Sequence, residues 1–159
     1  MRIGVRSTTI GGVEDEQPVL LCYDGSEPAR HAIGVAGKLL TGGRAVVLSV
    51  GPLELVAEAY AAAGSGAADT SIAATAATEA LAAAGVAEAV QAGFDATARS
   101  ELDAPIWRSI ARIADELDAA VIVVGSEGLR GVRELLEGSV SHAVSTHSHR
   151  PVLIVPPPR

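Results

Sequence analysis

Val121-Ile122-Val123-Val124-Gly125-Ser126-Glu127-Gly128-Leu129-Arg130-Gly131-Val132-Arg133-Glu134-Leu135-Leu136-Glu137-Gly138-Ser139-Val140 is the stretch that decides the fold. It opens with four apolar β-branched residues in a row. Alternation would mark a strand with one wet face; an unbroken run marks a parallel strand covered on both faces. Gly125 stops the strand, and Gly128 and Gly131 follow at short intervals. Apolar periodicity resumes after Gly138-Ser139, with Val140, Ala143 and Val144 at helical spacing. The order is therefore strand, glycine-rich loop, helix. Such a loop suits anions. Glycine lets the backbone approach a ligand closely, successive N–H groups form a nest, and a helix N-terminus adds unpaired donors. Ser139 adds a hydroxyl at the same end. A polyphosphate is the natural guest. No Gly-Lys-Ser/Thr follows, and the glycines do not read G-x-G-x-x-G, so neither a P-loop nor a dinucleotide fingerprint fits.

The flanking chain supplies the rest of an α/β layer structure. Val19 to Tyr23 reads as a first strand, ending at Asp24-Gly25-Ser26. Ser26 suits an N-cap, and Glu27 and Pro28 a first helical turn. Ile33, Ala36, Leu39 and Leu40 then mark one helix side, which Gly42-Gly43 ends. Ala45 to Val50 is a second apolar strand closed by Gly51-Pro52. Leu53 to Ala63 has a weak helical pattern. Asp69 or Thr70 can cap an alanine-rich helix over about Ser71 to Ala84, which Gly85 ends. Its shallow apolar face predicts that it lies close to the sheet. Ala96 to Ser100 alternates like a half-exposed edge strand. Pro105 starts a helix with an Ile106, Ile110, Ile113, Leu117 stripe, beside which Trp107 packs. Val132 to Glu137 fits a short helical turn. Val152 to Val155 is the last strand. Two βαβ units about a central first strand give the order 3-2-1-4-5, with the switch point between strands one and four. Ligands of open α/β sheets bind there, at the strands' carboxyl ends, where Asp24 and Gly125 meet. On its residues alone, Asp24 reads equally as a ligand group or as a turn-forming Asp bonded to its own backbone.

From Gly125 and Gly128 to Gly138-Ser139 the spacing reads G-x2-G-x9-G-S. This resembles the ATP-binding motif of universal stress proteins. Val19-Leu20-Leu21-Cys22-Tyr23-Asp24-Gly25-Ser26 resembles that family's opening strand and turn, and Pro151-Val152-Leu153-Ile154-Val155 its closing strand. The likeness covers roughly residues 18 to 156. It implies an open five-stranded parallel sheet with helices on both faces, a Rossmann-like universal stress protein fold. Residues 18–159 then form a single domain behind a flexible N-terminal extension, residues 1–17. The resemblance further implies adenine at the ends of the first two strands, by Val50, and ribose near Asp24. Phosphates then lie on Gly125, Gly128, Gly138 and Ser139, and Tyr23, Val124, Glu127, Arg130 and Val140 complete the nucleotide set. The implied ligand is ATP, with Mg²⁺. Glu127 departs from the family, many members of which carry His or Arg there. A carboxylate beside a triphosphate repels it unless a divalent cation bridges them. Glu127 therefore holds Mg²⁺, points away, or weakens triphosphate binding. A second departure is Leu102-Asp103-Ala104-Pro105, where the family often places a glycine.

The implied role is that of a stress-response regulator or sensor. Slow ATP hydrolysis or autophosphorylation is the enzymatic alternative, and a dimeric interaction module with a weakened site the third. No lysine near the loop and no positioned base support phosphoryl transfer. Composition narrows partners. The chain has 159 residues and a net charge of −7, which opposes nucleic-acid binding, since phosphate contacts need a basic face. Hydrophobic residues are 48% but aromatics only 3%, so the core must be aliphatic and alanine-rich. The single cysteine, Cys22, lies in an apolar run and reads as a core thiol. No apolar run reads as a membrane span and no signal core precedes the domain, so a cytoplasmic protein is expected. His142, His147 and His149 are spaced by five and two, unlike a helical metal pair, and read as surface or helix-end residues. Finally, Val152, Leu153, Ile154 and Val155 form an apolar strand at the sheet's edge. An uncovered edge templates aggregation, so a homodimer pairing this strand with its own copy is expected, as the family resemblance also implies.

Overall fold

A computed structural model describes residues 17–52, 67–126 and 140–158. Five strands, β1 (Val19–Cys22), β2 (Gly43–Pro52), β3 (Phe94–Asp103), β4 (Val121–Gly125) and β5 (Val152–Val155), form one sheet in the order β3-β2-β1-β4-β5. Every neighbouring pair is parallel. The helices are α1 (Glu27–Leu40), α2 (Ala67–Gln91), α3 (Ile106–Glu116) and α4 (Val140–His147). The expected fold class and strand order are those observed.

Strand alternation sorts the apolar residues onto two faces. Val19, Leu21, Val47 and Val123 point to one face, where they pack with Ala29, Ile33 and Ala36 of α1 and Ala89 of α2. Leu20, Leu48, Ile122 and Val124 point to the other, against Ile110 and Ile113 of α3 and Val144 of α4. Leu20, Leu21, Ile33, Leu48, Ile113 and Ile122 are completely or almost completely buried. Burial of each such side chain contributes about 1.5–3 kcal/mol.

The helix starts follow the sequence at α1. Ser26 accepts the Ala29 N–H at 3.2 Å as N-cap, with Glu27 and Pro28 in the first turn. The helix ends through Thr41 in the left-handed conformation, and Gly42 and Gly43 follow at positive φ. Leu39, assigned to the buried side, is 62% exposed. The larger correction is α2. Gly85 does not end it, and Asp69 and Thr70 lie inside it rather than capping it, because the helix runs from Ala67 to Gln91. A Cβ at Gly85 would lie 2.6 Å from Val47 Cγ1 and 2.7 Å from Tyr23 Cδ1. The glycine is thus a point of close helix–sheet approach, and helix packing outweighs its low propensity. Ser71–Gln91 is long and apolar enough to cross a membrane by length and composition. Its inner side, with Ala82 and Ala89 fully buried, packs on the sheet.

β3 is also longer than expected, pairing with β2 from Phe94 to Asp103. Arg99 and Arg112 each meet both Glu101 and Glu116, which ties α3 to this edge strand. At the C-terminal end of α3, Arg150 pairs with Asp115 and Asp118, and Gln17 donates to Asp118 at 2.6 Å. The weak helical pattern from Leu53 to Ala63, the turn from Val132 to Glu137 and residues 1–16 lie outside the described residues.

Candidate functional site

The site is the carboxyl-terminal rim of the sheet. β1 enters it paired with β2 on one side and β4 on the other, so the chain diverges in opposite directions after β1 and β4. That divergence opens a crevice between the two strand ends. Leu21 pairs with Val123, so Asp24 and Gly125 follow on adjacent strands.

The turn after β1 is fixed by its own side chains. Asp24 Oδ1 accepts the Ser26 N–H at 3.0 Å, the backbone-bonded turn that the sequence allowed. Gly25 has φ of +80°, and a Cβ there would lie 2.9 Å from Leu81 Cδ2 of α2. Glycine is needed at this turn on both counts. Asp24 remains partly exposed at the rim. Arg30 donates to the Gly25 carbonyl at 3.2 Å, and an open depression lined by Glu27, Arg30, His31 and Pro158 flanks the same helix start.

Tyr23 turns its ring into the core under α2 and is 6% exposed. Burial pushes its hydroxyl pKa up. Its N–H donates to the Leu48 carbonyl at 2.9 Å, and its carbonyl accepts the Ser49 hydroxyl at 2.6 Å. Ser49 is 2% exposed, so β1 and β2 are locked together beside the crevice by a buried hydrogen bond. The sequence reading missed Ser49. Its signal was a lone hydroxyl in an apolar strand run. Cys22 and Val50 point to the α3 face and are only partly buried, unlike the residues beneath them. The Cys22 thiol is pushed up to about 12, first by desolvation and then by the Asp24 charge, so it stays protonated and unreactive.

Val124 is 4% exposed and belongs to the core. At Gly125 a Cβ would lie 2.9 Å from the Pro28 carbonyl oxygen. This glycine therefore lets the start of the loop meet the first turn of α1. Ser126 N–H donates to the Val155 carbonyl at 2.8 Å, which holds the loop's first residue to the edge strand. Val140 begins α4 and is 38% exposed. The structure thus brings Tyr23, Asp24, Val50, Val124 and Gly125 to one rim. Glu127, Gly128, Arg130, Gly138 and Ser139 lie outside the described residues. Among the described residues no cluster of three or more His, Cys, Asp or Glu could hold a metal ion. Chemically, the rim offers a carboxylate at Asp24 and partly open apolar groups at Cys22 and Val50.

Comparison with known proteins gives a consistent picture. A family model described as the universal stress protein family matches residues 16–156. Universal stress protein YxiE of Bacillus subtilis (strain 168) is 55% identical over 42 residues, 26% of this chain and 28% of that protein. The sheet and its helices superpose on hypothetical protein MJ0577 with a TM-score of 0.67 at 23% identity, covering 90% of this chain and 97% of that one. A universal stress protein solved in complex with cAMP gives a TM-score of 0.63 at 26% identity, covering 89% of this chain and 98% of that one.

Proposed function

The chain belongs to the universal stress protein family, and from that premise we propose that it binds ATP, or another adenine nucleotide, and acts as a stress-response regulator or sensor. The observation that carries the reading is the rim itself. Asp24, in the turn that follows β1, and Gly125, at the end of the adjacent β4, stand at the switch point of a β3-β2-β1-β4-β5 sheet. A similar protein solved with cAMP supports adenine nucleotides as the ligand class.

In this reading the base lies by Val50, the ribose by Asp24, and the phosphates on Gly125, Gly128, Gly138 and Ser139. Tyr23, Val124 and Val140 contribute main chain, and Arg130 contributes positive charge. A chain of net charge −7 repels a triphosphate at long range, so local donors and Mg²⁺ must supply the attraction. Glu127, between Gly125 and Gly128, is the proposed outer contact to that metal. The protein works as a cytoplasmic homodimer through Val152, Leu153, Ile154 and Val155. Ile154, 40% exposed on the edge strand, supports that pairing.

Thermal unfolding with and without Mg-ATP tests the reading. A ligand at a hundred times its Kd adds about 2.7 kcal/mol to the stability of the folded state. A melting temperature raised by ATP and unmoved by free Mg²⁺ is expected. No shift with any adenine nucleotide at millimolar concentration would overturn it.

A further inference from the structure

The stretch Leu102-Asp103-Ala104-Pro105, which the sequence left without a role, begins by pairing with the end of β2 and is tied by a side chain to α3. Register places Gly51 opposite Leu102 and Pro52 opposite Asp103, one and two residues beyond Val50. On the α2 face, a Cβ at Gly51 would lie 2.5 Å from Leu102 Cδ2 and 2.5 Å from Thr78 Oγ1. The Leu102 side chain therefore lies directly on the Gly51 backbone, and Thr78, 6% exposed, closes it from above.

On the α3 face, Asp103 does the corresponding work. Its Oδ1 accepts the Ala104 N–H at 2.7 Å, and its Oδ2 accepts the Ser109 hydroxyl at 2.5 Å. Ser109 is fully buried, so its hydroxyl requires this partner. Pro105 stands at the N-cap of α3 and offers no side-chain cap. The Asp103 carboxylate substitutes for it by clamping the turn to the helix one turn in. The hydrogen bonds from Ser109 and Ala104, with Arg112 and Arg108 nearby, hold its pKa below the usual carboxylate range. The clamp fixes Ile106, the first residue of α3, which packs on the same core as Cys22 and Val50 and is partly buried like them.

We propose that Asp103, acting through Ser109, is a positioning residue of the nucleotide site: it ties the end of β3 to the first turn of α3, and β3, paired with the β2 end, keeps that end in place for the base. This rests on the nucleotide reading above and adds to it the part of the molecule that orders the base end. A base is planar and reads backbone groups along its edge, so its affinity depends on a strand end that does not move. The phosphate end, at the far side of β1, does not depend on this clamp.

Calorimetric titration of the full chain with Mg-ATP and with Mg-tripolyphosphate tests the proposal, using wild type, Asp103→Ala, Ser109→Ala and Asp103→Asn. Ser109→Ala removes a single buried hydroxyl and leaves the helix intact if Asp103→Ala does not fold. ATP affinity is expected to fall about fivefold in both alanine variants, the scale of one hydrogen bond. Tripolyphosphate, which has the phosphates and no base, should lose nothing. Asp103→Asn should recover most of the loss, because an amide can accept from Ala104 and donate to Ser109. ATP affinity unchanged in Ser109→Ala, or equal losses for ATP and tripolyphosphate, would overturn the positioning role alone. A wild-type chain that binds no adenine nucleotide would overturn the nucleotide reading and this inference with it.

Discussion

Single residues at the rim divide into those that shape it and those that would touch a ligand. Gly25 and Gly125 shape it, because the first needs a positive φ and the second a close contact with Pro28. Ser49 and Asp103 fasten it through buried or half-buried hydrogen bonds. Glu127 is the residue whose chemistry is least like a phosphate site. Two opposite outcomes are therefore informative for Glu127→His. If the carboxylate holds Mg²⁺, as proposed, the variant should bind Mg-ATP more weakly and metal-free ATP more tightly. Titrations with and without EDTA measure both. Tighter binding in both conditions would mean that Glu127 acts only by repulsion, and the metal contact would be withdrawn.

Elements were legible where apolar runs were long. Four strands stood out as nearly unbroken apolar runs, as in Val121 to Val124 and Val152 to Val155, and β3 by its alternation. The order of the sheet followed from connection rules once those strands were in place. What the sequence hid was the reach of α2, since a glycine reads as a breaker until its neighbours are known. Its consequence is testable. Gly85→Ala should improve helix propensity by about 1 kcal/mol. The new Cβ would nevertheless meet Val47 and Tyr23 at 2.6 and 2.7 Å. Overpacking of this kind costs about 1–3 kcal/mol, so a net loss is expected as a lower urea midpoint at unchanged m. A raised midpoint would show that α2 can lift from the sheet at no cost. At the other edge, β5 bears the proposed dimer contact. Leu153 packs on the core, so a charge there would confound folding with assembly. Ile154 is 40% exposed and is the cleaner probe. Sedimentation should show Ile154→Asp as a folded monomer of 16.0 kDa and the wild type at twice that mass. Two carboxylates near a dyad could not be buried unpaired. A monomeric wild type at micromolar concentration would remove the dimer from the account.

For the molecule as a whole, the candidate site was half legible. The rim itself was legible: Asp24 and Gly125 fall there as the strand pattern implied, and Tyr23, Val50 and Val124, named for the site only through the family resemblance, lie beside them. It emerged because the switch point of a parallel sheet is a property of strand order alone. The clamp at Asp103 and Ser109 did not emerge, because a hydrogen bond between positions six apart across a turn leaves no periodic trace in a sequence. The phosphate half rests on the spacing of Gly125, Gly128 and Gly138-Ser139, so the central claim stands or falls on that loop. Calorimetry of Mg-ATP binding to the wild type and to Gly128→Leu tests it most directly. In the proposed site the ligand requires close backbone approach at that glycine. Saturable binding by the wild type, lost in a Gly128→Leu variant that melts at the same temperature, is the predicted result. Equal affinity in the two proteins would contradict it.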